Sequence, residues 1–274
     1  MAGAESADPP PVLLAGLARV ELRDPLFISD LHLNAGAPAT LARFLRFCEQ
    51  DAATRAELLI LGDLFEYWIG DDALDDEIDA VPRTVAAALS SLGERGVRVY
   101  LMHGNRDLLL GSRFLRATGA QLLADPAVAV VGGREVLLAH GDAWCTQDVE
   151  YMRFRAMVRQ EATQRQFLAG PRAARLAFMG AARAQSETGK RAKAKEIMDV
   201  TPAVVDEAMR ASGLRLLIHG HTHRPAVHRF KIDGAPAERW VMTDWDFDMP
   251  EASQRRGGYL LAGEGPWRTV ELAP

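Results

Sequence analysis

Five short apolar runs each end in Asp, Asn or His. Leu58-Leu59-Ile60-Leu61 leads into Gly62-Asp63, and Phe27-Ile28-Ser29 into Asp30-Leu31-His32. Tyr100-Leu101-Met102 leads into His103-Gly104-Asn105, and Leu137-Leu138-Ala139 into His140-Gly141-Asp142. Leu216-Leu217-Ile218 leads into His219-Gly220-His221-Thr222-His223. Carboxylate, amide and imidazole ligands suit hard or borderline divalent ions and require no thiolate. The seven residues Asp30, His32, Asp63, Asn105, His140, His221 and His223 are too many for one closed site. They suit two ions about 3.5–4 Å apart under a shared carboxylate, and Asp63 is the expected bridge. Such a pair lets a bridging water deprotonate at neutral pH and clamps the oxygens of a phosphoryl group under attack. One His or Asp at a strand end is more often structural; the five tips together carry the inference.

Placing these side chains at one rim calls for an α/β fold, in which sites form beyond the carboxyl ends of the strands. The spacing predicts strands at Pro25–Ser29, Leu58–Leu61 and Val97–Met102, with helices over 38–50 and 80–93. A further helix starts in Leu108–Leu115 and ends before Gly119. Val128–Val131 and Glu135–Ala139 read as a hairpin around Gly132-Gly133. Thr201 is the expected N-cap of a helix with Pro202 at its first position, followed by a strand at Leu214–Ile218. Short strands follow at Val227–Ile232, Arg239–Met242, Tyr259–Leu261 and Trp267–Leu272.

Residues 148–198 interrupt this rhythm with helical periodicity alone, and Gly170-Pro171 is expected to separate two helices. Between 150 and 198 stand eleven Lys or Arg against four Glu, a segment charge of +7 in a chain of net charge -5. The segment reads as a helical lid inserted into a domain spanning 23–274, behind a loose tail at 1–22. By contrast, residues 63–79 hold eight acidic residues and no Lys or Arg. Near Asp63 that charge serves to concentrate cations; Asp75 to Asp79 reads as solvated surface.

The acidic balance argues against wholesale nucleic-acid binding. Cys48 and Cys145 fit no disulfide framework and read as small buried hydrophobes in a reducing compartment. The first twenty residues make a poor signal peptide. No apolar run approaches the ~20 residues of a membrane span.

The set Asp30-x-His32, Gly62-Asp63, Gly104-Asn105, His140 and Gly220-His221-Thr222-His223 resembles the calcineurin-like metallophosphoesterase superfamily. That resemblance implies a four-layer αββα sandwich, here with the inserted helical lid. It also implies two divalent metal ions, usually manganese (Mn2+). Asp30, His32, Asp63 and His223 would hold one ion, and Asp63, Asn105, His140 and His221 the other. The superfamily usually has His after the motif Asn. Arg106 stands there instead, removing the usual general acid and adding a phosphate-binding guanidinium.

Three stretches narrow the match: Gly62 to Asp72, Ile197-Met198-Asp199-Val200, and His219 to Ala226. They look like the branch that cleaves UDP-2,3-diacylglucosamine to UMP and 2,3-diacylglucosamine 1-phosphate in lipid A biosynthesis. The resemblance implies catalytic parts for Asp63, Asn105, Arg106 and His221. It implies contacts of Asn105, Arg106, Asp148, Ser186, Lys190, Lys193 and His221 with an acylated UDP-sugar. The expected place of work is the cytoplasmic face of the inner membrane, as a peripheral protein; oligomeric state is left open. Thr243-Asp244-Trp245-Asp246 lacks the Gly-Ala-Trp-His wording of some members, and Arg255–Leu261 reads as a branch variant. Neither is assigned a catalytic part. Phosphoesterases acting on soluble nucleotides or phosphoproteins, and a non-catalytic metal-binding scaffold, stay as alternatives.

Overall fold

The apolar runs become adjacent strands because each is buried on both faces. In the computed structural model, which describes residues 17, 19–181 and 199–273, β2 (Pro25–Ile28), β3 (Glu57–Leu61) and β4 (Arg98–Met102) lie side by side and parallel. Successive side chains alternate between faces. Leu58 and Ile60 enter a core beneath the helices α1 (Pro38–Gln50), α2 (Val81–Glu94) and α3 (Ser112–Thr118). Leu59 and Leu61 enter a second core between two sheets. Burial on both faces explains why these strands read as unbroken apolar runs instead of alternating ones.

The first sheet continues through β5 (Gln121–Leu123) on one side. On the other side it takes the antiparallel β11 (Gly258–Leu261) and β12 (Arg268–Glu271), giving the order β12-β11-β2-β3-β4-β5. The second sheet contains β1 (Arg19–Leu22), β6 (Ala127–Val131), β7 (Arg134–Ala139), β8 (Leu216–His219), β10 (Ala235–Val241) and β9 (Ala226–Ile232), in that order. Its outer face packs with α7 (Pro202–Ser212) around Leu137, Leu217, Val205 and Met209. The layers run helix, sheet, sheet, helix, as the family resemblance implies.

Several expected boundaries move. The tail expected over 1–22 ends earlier, because Arg19–Leu22 pairs in parallel with Val128–Val131 and turns Leu22 into the inter-sheet core. Thr201 sits at the N-cap of α7, yet its hydroxyl makes no cap and meets Thr146 Oγ1 at 2.7 Å. The helix expected from Leu108 begins at Ser112. Its start is set from outside, by Asp71. That carboxylate accepts from the backbone N–H groups of Gly111 (2.9 Å), Arg113 (2.9 Å) and Phe114 (3.2 Å), and from Trp68 Nε1 (3.0 Å). Asp71→Ala is therefore expected to cost about 2 kcal/mol, the upper range for a lost N-cap. A denaturant midpoint equal to that of the parent chain would exclude this role.

The insertion begins with α4 (Val149–Val158) and α5 (Glu161–Leu168), and residues 172–181 form a further helix, α6. The break at Gly170-Pro171 falls where expected; one at Arg159-Gln160 was not foreseen. The acidic run is less solvated than its composition implies. Asp72 pairs with Arg175 and Asp76 with Arg172, both from α6, and Asp75 pairs with Arg113. Arg175 is itself buried and also donates to Ile69 O. Of the five acidic residues after Asp71, Asp72 and Asp76 thus meet the insertion, while Asp75 and Glu77 stay exposed.

Candidate metal centre

Asp30, Asp63 and Asn105 follow the carboxyl ends of β2, β3 and β4, and His140 and His221 follow those of β7 and β8. The turns after these strands are tight. Asp30, His32, Asp63, His221 and His223 all hold positive φ, between 51° and 67°. Non-glycine residues seldom adopt that region, and they collect at functional sites where surrounding contacts enforce it. Gly62 and Gly104 permit the close approach. A Cβ on Gly104 would collide with the Asp63 carboxylate and amide, and one on Gly62 would come within 2.7 Å of Gly104 Cα.

Two donor clusters result, each with its ligand atoms within 4.8 Å of one another: Asp30, His32 and His223, and Asp63, His140 and His221. Asp63 lies between them, with Oδ2 3.9 Å from His32 Nε2 and 3.8 Å from His140 Nε2. Its Oδ1 accepts from the Arg106 backbone N–H at 2.8 Å. Asn105 Oδ1 is 3.0 Å from His140 Nε2. Sequence reasoning proposed these seven residues, and the fold brings all seven to one rim.

The donor set fits cations. His140 Nδ1 is 2.9 Å from Leu61 O, so Nδ1 carries the proton and Nε2 faces the site. His32 Nδ1 lies 3.0 Å from Glu66 Oε2, and His223 Nδ1 lies 3.3 Å from Asp244 Oδ2. Their Nε2 atoms then face each other at 3.2 Å. Asp30 Oδ1 is fully buried and makes no hydrogen bond. Buried polar atoms are rarely left so, and here the missing partner matches a cation. The charges around the imidazoles point the same way. Burial opposes charge on His223, but Asp244 and Asp30 outweigh it and push the imidazole up to about 10. Burial likewise opposes charge on His140, and Asp63 and Asp30 push it up to about 9. Burial and the His140 charge pull His221 down to about 3. The carboxylates thus favour positive charge at His140 and His223.

Of the expected substrate contacts, Arg106 sits at the rim with Nη1 3.8 Å from Glu66 Oε1. Asp148 caps α4, accepting from Tyr151 N at 3.1 Å. Ser186, Lys190 and Lys193 lie outside the described residues. The cysteines are buried as expected, and burial, with Asp142 beside it, pushes the Cys145 thiol up to about 12. His219 supports its turn through Nδ1, 2.9 Å from Gly220 O.

Sequence reasoning missed the residues that hold this rim together. Asp107 accepts from Leu64 N (2.7 Å) and Gly104 N (2.9 Å), tying the β3 and β4 turns to each other. Asp142 is fully buried and accepts from Tyr151 Oη (2.7 Å), Arg155 Nε (2.8 Å) and Arg159 Nη2 (3.3 Å). The Tyr151 ring stacks on His221 with centroids 5.9 Å apart, so α4 reaches a candidate ligand. Position in the motif was the available signal for both: Asp107 two residues beyond Asn105, and Asp142 two beyond His140.

A family model for calcineurin-like phosphoesterases matches residues 25–225. A protein of Ralstonia nicotianae named UDP-2,3-diacylglucosamine hydrolase is 49% identical over 87% of this chain and 89% of its own length. Proteins of the same name from Chromohalobacter salexigens and Bordetella pertussis are 51% and 44% identical, over 80% and 89% of this chain and 88% and 93% of theirs.

Proposed function

The chain belongs to the calcineurin-like phosphoesterase family, and from that premise we propose that it hydrolyses UDP-2,3-diacylglucosamine to UMP and 2,3-diacylglucosamine 1-phosphate, a step of lipid A biosynthesis. One observation carries the reading: two convergent donor clusters stand beside an insertion that is both apolar and cationic. A diphosphate with acyl chains needs both surfaces. A cavity of about 260 Å³ lies between the core and the insertion, lined by Phe65, Tyr67, Trp68, Ile69, Arg172 and Leu176 among others, and suits acyl chains.

Asp30, His32, Asp63 and His223 would hold one divalent ion, and Asp63, Asn105, His140 and His221 the second, with manganese as the ion. When bound, the pair supplies deprotonated water at neutral pH and offsets phosphoryl charge. Water adds to the phosphorus nearer the uridine, and the bond from that phosphorus to the bridging oxygen breaks. The bridging oxygen leaves with the lipid phosphate. Asn105 and Arg106 orient and neutralise the transferring group, with Asp148, Ser186, Lys190, Lys193 and His221 as further substrate contacts. The leaving group is a phosphate ester that departs without strong acid help, which accommodates Arg106 where a general acid usually stands.

No described helix is long and apolar enough to cross a membrane. Among the described residues, five of the seven exposed large hydrophobic ones fall on the insertion: Val149, Phe154, Met157, Leu168 and Phe178. With the basic charge of 150–198, they suit peripheral contact with the anionic cytoplasmic face of the inner membrane, the insertion acting as a lid. The test is UMP release by the purified chain. Release is expected with Mn2+, to vanish with chelator and to return when Mn2+ is restored. Chelator-resistant release, or equal turnover of ATP, cyclic nucleotides or phosphopeptides, would overturn the proposal.

A further inference from the structure

Thr243-Asp244-Trp245-Asp246 and the stretch from Arg255 were expected to take no catalytic part; they meet behind His223. Asp244 is 3% exposed, and its Oδ2 lies 3.3 Å from His223 Nδ1. Arg256 grips both carboxylate oxygens, Nε to Oδ1 at 2.9 Å and Nη2 to Oδ2 at 2.5 Å. The backbone beside this pair is tied at two points. Trp245 N donates to Asp30 O at 3.0 Å, and Asp246 and Arg256 exchange N–H···O bonds at 2.8 and 3.0 Å.

A looser version of this arrangement stands at the other histidine of the cluster, where His32 Nδ1 makes no hydrogen bond. His32 Nδ1 lies 3.0 Å from Glu66 Oε2, and Arg106 Nη1 lies 3.8 Å from Glu66 Oε1. Arginine, carboxylate and Nδ1 follow in that order on both sides, and the two Nε2 atoms meet in the middle at 3.2 Å. A salt bridge that merely stapled the 246–256 loop would require Arg256 and Asp244, but no imidazole nitrogen on the carboxylate.

We propose that Asp244, held by Arg256, is a positioning residue for His223. It keeps the proton on Nδ1, fixes the ring, and so presents the Nε2 lone pair to a divalent cation. A carboxylate behind a ligating imidazole also raises the basicity of the ligand, and loss of such a partner typically weakens metal affinity about 10–100-fold. The bidentate guanidinium fixes the plane of the carboxylate. The inference rests on the two-ion reading above.

Mn2+ titration of the full chain, followed by the magnetic resonance signal of free Mn2+, separates the two. The parent chain is expected to bind two equivalents; a parent chain that binds none would overturn the two-ion reading itself. In Asp244→Asn, which keeps the shape and removes the charge, one equivalent is expected unchanged and the other about 10–100-fold weaker. Asp244→Glu should recover most of that loss, and activity of the Asn variant should return at high Mn2+. Two equivalents of parental affinity in folded Asp244→Asn, or equal weakening of both, would overturn the positioning role. If Asp244→Asn does not fold, Arg256→Met leaves the carboxylate in place but unheld. It is then expected to weaken the same single equivalent, and parental affinity there would overturn the proposal.

Discussion

Asp63→Asn is expected to lower the rate of UMP release on the order of 10³-fold while leaving the chain folded. Asparagine is a severe test because it changes so little. It keeps an oxygen to accept from Arg106 N–H, and it tolerates the positive φ of 54° at this position better than other residues. It replaces Oδ2, which lies between His32 Nε2 and His140 Nε2, by an NH2 group and removes the negative charge there. If Asp63 bridges two ions, both are weakened together, so the variant should bind both Mn2+ equivalents more weakly where Asp244→Asn weakens one. A loss of 10³ in rate corresponds to about 4 kcal/mol of transition-state stabilisation. Circular dichroism and the melting temperature separate this from unfolding. Parental turnover by a folded Asp63→Asn chain would remove Asp63 from the mechanism.

The second large effect is on stability and reaches the insertion. Asp142→Ala is expected to cost about 3 kcal/mol, the lower end for breaking a buried ion pair. The lower end applies because Arg155 and Arg159 keep 19% and 25% of their side chains exposed and can turn to water once released. Tyr151 loses its acceptor in the same step, and with it the hold on the ring that stacks on His221. Faster proteolysis within 149–181 and a raised KM for the lipid substrate should accompany the lower melting temperature. Acid gives an independent check. Burial pushes the Asp142 carboxyl up, but Arg159, His140 and Arg155 outweigh burial and hold it well below the usual carboxylate range. Its contribution is therefore fully present above the unfolded value of about 3.9, and is lost as pH falls through the depressed folded value. Parent and variant should differ by a constant amount from neutrality down to roughly pH 5, and converge only in stronger acid. Equal melting temperatures at pH 7 would exclude the anchor.

The strands that carry ligands were legible because each is buried on both faces and ends on a polar residue, so Leu58–Leu61 could be read without its neighbours. Strand β1 was not. Arg19–Leu22 alternates over only four residues and is a strand because β6 offers it an edge. The start of α3 was misplaced for a similar reason, since Asp71 caps it from forty residues away. The acidic run was legible as charge but not as ion pairs, because Arg172 and Arg175 approach it from about a hundred residues further along.

The identity and order of the seven candidate ligands were written in the chain, because a strand end delivers its own side chain whatever lies beside it. Which nitrogen of each histidine faces inward was not written there. His32 and His223 stand 191 positions apart, and the carboxylates behind their Nδ1 atoms, Glu66 and Asp244, come from separate turns. No local period couples such residues. Hydrogen-bond direction is decided where side chains meet, and the αββα packing brings these turns to one rim.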